Sequence, residues 1–455
     1  MLIGLFLIAF LTMWGIAFVL FERDLTCPTM LLISGYTICV GTAAVSYFSF
    51  PFTYHAQTLF VMILGTVFFL IPAYAIKEIA AGKEEKSMPA VARSVIVFKP
   101  WALVLSAVLL LALIALTLLT YVRVLQQFDS AVTYASAIPM MRKFLFTHPE
   151  ATTLKELFIL SQVKKIFLVG GWFLLYSYAH NCAVRRSFLV DKGVLVNLFL
   201  VLCLIATAGG RGELVAFLVG GLGLYSFFNY LYNRARIRIS LKLILKTVGG
   251  GITAAVVFFA LLYLTGRRSG GFDMRALWTH VQIYLAGPVP LLNHFLQAPL
   301  SGGGDIFGQE TFYAINSQLT KLGLLDIPLY SPHLEYRPGV YLDDVNCYTA
   351  YRSYLYDFGY AGLVFCPILF SVLINGLYYA CVRWAKKSVF VPSLMLYATA
   401  MFLIFIDFER SCFFTYWLGF GVLVYLAGFM LLHFFLLKTG LMRVVPLKAQ
   451  GGLIP

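Results

Sequence analysis

Of 455 residues, 61% are hydrophobic, 16% aromatic and only 12% charged, about half the charged share of a soluble domain. A mean hydropathy of +0.86 spread over the whole length excludes a water-soluble globular protein and describes one polytopic membrane domain, residues 1–455. The net charge of +14 does not signal nucleic acid, because the basic residues fall mainly in short loops between apolar runs.

Runs of about 20 apolar residues predict spans near 1–20, 29–50, 57–76, 101–121, 166–182, 193–209, 213–231, 244–265, 360–382, 389–406 and 412–437. The expected fold is therefore an all-α integral membrane protein of about 11 transmembrane helices. No small-residue cleavage site follows the first run, so it reads as a retained span and not as a signal peptide. The eight cysteines are scattered, with no C-x-x-C pair, and read as small buried hydrophobes without a disulfide framework.

Alternate connections form two sets. One collects Lys77/Lys83/Lys86/Arg93/Lys99, Arg185/Arg186/Lys192, Arg234/Arg236/Arg238/Lys242/Lys246 and Arg383/Lys386/Lys387, together with Arg23 and the basic C-terminal tail. These connections carry 20 of the 34 Lys+Arg, which places them in the cytoplasm, the amino terminus outside and the carboxyl terminus inside. The other set holds a first external loop at residues 122–165, a large one at 266–357, and short turns around His55, Arg211 and Glu409. A connection of about 90 residues far exceeds ordinary loop length and is expected to carry function. Within it, 277–296 and 311–322 read as short amphipathic helices. No internal repeat is visible, which argues against transporters built from duplicated halves.

Four groups could carry chemistry on the external side. In Gly209-Gly210-Arg211-Gly212-Glu213, glycines permit a tight turn and the arginine needs an anionic partner, either a ligand or Glu213. Arg267 and Arg268 leave the membrane at the start of the large loop against the cytoplasmic bias, and paired guanidinium groups match phosphate oxygens. From Asp343 to Tyr360 polar and aromatic residues are dense. A helix starting near Asn346 would put Tyr348, Arg352 and Tyr356 on one face, with Asn346 and Asp357 beside them, as a sugar-binding surface. Asp407, Glu409 and Arg410 share one short turn and either neutralise one another or serve a ligand. Among histidines on this side (His55, His148, His280, His294, His333), His280 is the first candidate for proton transfer, since it follows the Arg267/Arg268 pair. There is no P-loop, H-E-x-x-H, EF-hand loop or D-x-D, so neither nucleotide nor metal nor other cofactor is expected; Ser301-Gly302-Gly303-Gly304 lacks the lysine of a phosphate loop and reads as a flexible joint.

Three stretches, in order, resemble the oligosaccharide repeat-unit polymerases, the Wzy family of O-antigen and related polysaccharide polymerases: Gly209-Gly210-Arg211 between two spans; Phe307-Gly308-Gln309-Glu310-Thr311-Phe312; and Asn346-x-Tyr348-Thr349 running into Tyr356-Asp357-Phe358-Gly359-Tyr360-x-Gly362. The resemblance implies a GT-C-like polymerase/ligase architecture in a bacterial inner membrane. It also implies metal-independent transfer of a growing glycan from undecaprenyl diphosphate to a new lipid-linked repeat unit on the periplasmic face, beside a chain-length regulator and a flippase, with membrane lipid around it. On that reading Arg211 and Arg267 or Arg268 hold the diphosphate, with Arg352 and Arg410 as helpers. The general base is one of His280, Asp344, Asp357 and Glu213, and Asn346, Tyr348 and Tyr356 hold sugar. Two alternatives stay open: an O-antigen ligase, and a flippase or secondary transporter, which requires charged residues within the spans.

Overall fold

The computed structural model describes residues 2–48, 51–81, 94–148, 151, 154–187, 190–209, 211–233, 282–299, 306–328, 330, 334–335, 337–338 and 344–446. The expected span at 244–265, the Arg267/Arg268 pair, His280, His333, Asp343, Ser301-Gly302-Gly303-Gly304 and the basic runs at 83–93 and 234–246 lie outside these residues.

In chain order the helices are α1 (Leu2–Leu20), α2 (Pro28–Ser46), α3 (Ala56–Ala81), α4 (Pro100–Gln126), α5 (Tyr134–Thr147), α6 (Lys155–Arg185), α7 (Lys192–Ala206), α8 (Arg211–Asn233), α9 (Pro288–Gln297), α10 (Tyr313–Lys321), α11 (Ala350–Ala385), α12 (Pro392–Phe405) and α13 (Phe420–Lys438). Short strands β1 (Ser94–Phe98), β2 (Arg337–Pro338), β3 (Asp344–Val345) and β4 (Met442–Pro446) complete the elements. Among the described residues, eight helices are long and apolar enough to cross a membrane, and α7 and α12 are shorter apolar helices on expected spans. Leu105, Leu109, Leu111, Leu116 and Leu119 on α4 all face outward, a stripe that water would penalise and acyl chains accept. Proline starts α2, α4 and α9, where its missing N–H costs nothing. Of the helix expected over 277–296, residues 277–281 lie outside the described residues, 286–287 form a turn and α9 takes up the last part; α10 falls within 311–322; α5 and the strands are additions.

The chain divides into two compact units. Unit 1 takes Met1–Lys86, Phe272–Arg383 and Thr399–Val424. At one of its ends Lys77 Nζ donates to the Leu20 carbonyl at 2.7 Å and pairs with Glu22 at 3.2 Å, and Tyr378 donates to the buried Asp24. At the other, His55 N and Thr58 Oγ1 each donate to Asn293 Oδ1 at 2.8 Å, tying α9 to the start of α3. Among the described residues of the basic set, Lys77 therefore stands with the α1–α2 connection at the first end.

Unit 2 takes Ser87–Gly271, Trp384–Ala398 and Tyr425–Pro455. Its basic connections also converge. β1 pairs antiparallel with β4, Ser94 opposite Pro446 through Phe98 opposite Met442. The end of α6 clamps this ribbon. Asn181 accepts from Ile96 N at 2.8 Å, and its amide nitrogen lies 2.7 Å from the Ile96 carbonyl and 3.0 Å from Asp191 Oδ2, so one side chain replaces a neighbouring strand. His180 Nε2 lies 3.0 Å from the Ser94 carbonyl and its Nδ1 3.1 Å from Tyr232 Oη. Tyr176 donates to the Val389 carbonyl at 2.8 Å and accepts from Val391 N at 3.1 Å.

Replacing Asn181 by leucine strands the N–H and C=O of Ile96, which is 1% exposed. The expected loss is about 2–4 kcal/mol, at about 1–3 for each buried group left unsatisfied. Thermal unfolding of the detergent-solubilised variant measures it, and an unchanged midpoint would show that the clamp contributes nothing.

Candidate functional site

The end of unit 1 at which α9 meets the start of α3 is built on one carboxylate that holds a loop by its backbone. Asp357 Oδ2 accepts from Thr311 N at 2.7 Å, and its two oxygens lie 3.2 and 3.3 Å from Glu310 N. The loop turns at Gly308, whose φ of +62° and close contact with the Phe312 ring both suit glycine. Phe307 and Phe312 pack on Phe358, the residue after Asp357, at ring-centre distances of 5.1 and 5.7 Å. Thr415 Oγ1 donates to the Glu310 carbonyl at 3.0 Å, Tyr330 to the Gln309 carbonyl at 2.9 Å, and Asn316 Nδ2 to the Phe307 carbonyl at 3.0 Å. With its main chain held on these sides, the loop aims the Glu310 side chain at Arg352.

Arg352 is 1% exposed. It pairs with Glu310, and its second terminal nitrogen lies 3.7 Å from Glu335 Oε1, which also accepts from Tyr348 Oη at 3.3 Å. The guanidinium carbon lies 5.0, 5.2 and 4.8 Å from the ring centres of Phe295, Tyr348 and Tyr356. The expected convergence of Tyr348, Arg352 and Tyr356 is therefore present. The route differs, because α11 begins at Ala350 and not near Asn346: β3 pairs with β2, and that pairing holds the chain extended before the helix. Asn346 lies half-buried on this approach.

The charge around Arg352 departs from the expected diphosphate grip. Among the described residues one guanidinium faces two carboxylates and is sealed by rings, so its charge is already committed inside the protein. Glu310 and Glu335 keep 16% and 18% of their side chains exposed, so both carboxylates are partly open to solvent. Burial pushes the Glu310 carboxyl above the ordinary glutamate range, and the adjacent Arg352 opposes that shift without cancelling it. Neither glutamate stood out in the sequence as a base. Asp357, which did, spends its oxygens on main-chain N–H groups.

Beside this pocket, the turn after α12 does not neutralise itself. No ion pair joins Arg410 to Asp407 or Glu409 among the described residues. Arg410 Nη1 donates instead to Tyr416 Oη at 2.7 Å, and its Nε has no hydrogen-bond partner. Glu409 takes the Cys347 thiol at 3.8 Å, and burial raises its carboxyl, a shift that Arg410 opposes.

In unit 2, Gly209 turns the chain at φ +66° and Arg211 is the first residue of α8, where Glu213 faces outward in the first turn. Two cations that the sequence did not single out stand there: Arg142 donates to the Gly209 carbonyl at 2.7 Å, and Lys164 to Thr207 Oγ1 at 2.9 Å and Tyr121 Oη at 3.4 Å. The signal for Lys164 was a lysine pair just before an apolar run; α6 begins at Lys155, which places that pair within the helix. Asp344 lies in β3 opposite Pro338. His148 bonds its neighbour Thr147 at 2.8 Å, and His294 packs on Phe52 at 5.0 Å between ring centres. Among the described residues no three His, Cys, Asp or Glu side chains are grouped to hold a metal ion. Comparison with protein-family models, curated proteins and solved structures returns no significant match.

Truncating Arg352 to alanine leaves Glu310 and Glu335 facing each other half-buried, at an expected cost of about 3–5 kcal/mol. Lysine should restore only part of this, because a point charge lacks the planar fork that reaches both carboxylates. Unfolding midpoints of the two variants test the order; lysine equal to wild type would refute the shared-guanidinium account.

Proposed function

We propose that the chain is a glycosyltransferase that joins undecaprenyl-diphosphate-linked oligosaccharide repeat units into O-antigen or a related polysaccharide. The architecture proposed with it has about 11 spans in a bacterial inner membrane, the amino terminus outside, the carboxyl terminus in the cytoplasm and the site on the periplasmic face. One observation carries this reading. Two of the segments through which the sequence resembles the repeat-unit polymerases, residues 307–312 and 346–362, are distant in the chain and meet at Asp357 and Arg352.

In this mechanism Glu310 is the general base. Arg352 holds its carboxylate in place, and Glu335, Tyr348 and Tyr356 receive the acceptor sugar through hydroxyl hydrogen bonds and ring faces. The acceptor oxygen bonds to the donor's anomeric carbon as the bond from that carbon to the phosphate oxygen breaks. The acceptor's proton goes to Glu310, and the electron pair leaves on undecaprenyl diphosphate. Two carboxylates facing one guanidinium suit proton removal and repel a diphosphate, so the leaving group is assigned to Arg410, whose Nε and Tyr416-bound Nη1 offer donors at the neighbouring turn. Single displacement inverts the anomeric centre. A chain-length regulator and a flippase are the expected partners.

A transporter of the same lipid-linked substrate is the second reading. It draws on Asp24 and Asp407, buried in unit 1 with no ion pair among the described residues, although one stands in the α1–α2 connection and the other in the turn after α12 and neither lies within a span.

Purified protein given a synthetic undecaprenyl-diphosphate repeat unit should yield a ladder of products. Glu310→Gln is expected to lower turnover by about 10²–10⁴-fold while the fold is retained. Glu310 acts as carboxylate and its proton is held more tightly than usual, so wild-type turnover should rise with pH through a midpoint above the ordinary 4.5, and that limb should vanish in the variant. A ladder undiminished in Glu310→Gln removes it as the base. Flipping of a labelled lipid-linked sugar in vesicles, with no ladder, would move the assignment to the transporter.

A further inference from the structure

Asp407 lies in the 3-10 turn Ile406–Phe408 that ends α12, 2% exposed and within unit 1. Its Oδ1 has no hydrogen-bond partner among the described residues. Protonation would remove the charge and still leave Oδ1 without a hydrogen-bond partner. Tyr36, on α2 and wholly buried, places its hydroxyl oxygen 3.4 Å from Asp407 Oδ2 and 3.4 Å from the Asp407 carbonyl oxygen. Both distances exceed the about 2.5–3.0 Å of a good O–H···O bond. They match the edge of an octahedron, since an ion with oxygens at about 2.4 Å separates adjacent ligands by about 3.4 Å.

Among the described residues the surroundings supply oxygen and no paired cation. Tyr351 stacks on Tyr36 at 5.2 Å between ring centres and shares a 2.9 Å hydrogen bond with Thr66, while Tyr354 accepts from Ser411 at 3.4 Å. The titratable groups facing Asp407 are Tyr36 from α2, Tyr351 and Tyr354 from α11, and Cys412 from the turn that follows. Arg410 is turned to Tyr416. The backbone contributes too: α12 stops at Phe405, so its negative end falls at this point, as at broken helices that coordinate ions in membranes. Glycine at position 35 lets α2 approach, because a Cβ there would collide with the Phe405 carbonyl oxygen.

We infer that Asp407 and Tyr36 form a buried site for one monovalent cation of sodium's size, with the Asp407 carbonyl oxygen as a further donor. Hard oxygen donors select an alkali or alkaline-earth ion, and a single carboxylate balances one positive charge and not two. The site does not depend on the proposed glycosyl transfer. It bears on the pocket through the chain that follows it, because Thr415, eight residues on, holds the Glu310 carbonyl.

The test is thermal unfolding of the purified full chain in sodium chloride against choline chloride at equal ionic strength, paired with equilibrium binding of radioactive sodium. A saturable rise of a few degrees specific to sodium is expected, with one ion bound per chain, and both should be lost in Asp407→Asn. Tyr36→Phe, which removes a single oxygen, should fold and weaken sodium binding at least tenfold, so the site stays testable if Asp407→Asn does not fold. Midpoints equal in the two salts, sodium binding unchanged in Tyr36→Phe, or a midpoint that follows pH and ignores sodium would each overturn the site.

Discussion

A guanidinium cannot shed its proton to escape burial, so a buried arginine obliges the rest of the structure to bring negative charge to it. Arg352 imposes this obligation on the end of unit 1 where α9 meets α3. Both carboxylates that answer it come from outside its own helix, Glu310 from the loop before α10 and Glu335 from beside β2. The sharp turn at Gly308, the aromatic seam of Phe307, Phe312 and Phe358, and the bond from Thr415 all serve to keep Glu310 where the arginine needs it. The ring faces of Phe295, Tyr348 and Tyr356 make up part of the hydration the cation has lost. What results is a pair of carboxylates held in fixed positions and partly open to solvent.

The same unit separates two kinds of polar interior. Near Arg352 opposite charges meet. Around Asp407 the described groups that meet a carboxylate are the hydroxyls of Tyr36, Tyr351 and Tyr354 and the Cys412 thiol. These are different answers to the cost of burying charge, the first settled within the chain and the second leaving a demand for something from outside it. α11 serves both, with Arg352 and Tyr356 on one side and Tyr351 and Tyr354 on the other, as its period of about 3.6 residues per turn provides. The helix then breaks at Gly359, where φ +59° and ψ −153° are open to glycine alone, so its polar first turns are set off from the apolar span that follows.

Much of this was legible in the sequence, and what was not has identifiable causes. Apolar runs located the membrane helices because lipid forces every backbone group into a helix, whatever the tertiary contacts. Alternation of basic loops anticipated which connections gather at one end of each unit, as Lys77 with Glu22 and β1 with β4 illustrate. The four-residue spacing of Tyr348, Arg352 and Tyr356 foretold their meeting, although β3 delays the helix to Ala350. Glu310 and Glu335 were missed as reactive groups because their importance arises from an arginine 42 and 17 positions away. Pairing of β1 with β4 joins segments more than 340 residues apart, and five-residue strands flanked by spans carry no periodicity long enough to declare themselves. For Arg410 the sequence left open neutralisation by its neighbours or service to a ligand; the tight turn points it at Tyr416.

Asp357 grips the loop by amide hydrogens, which every residue except proline possesses. The attachment is therefore indifferent to which side chain position 311 carries. Two separate devices meet in this loop: the hook sets where the main chain of residue 310 stands, and Arg352 sets which side chain that place must carry.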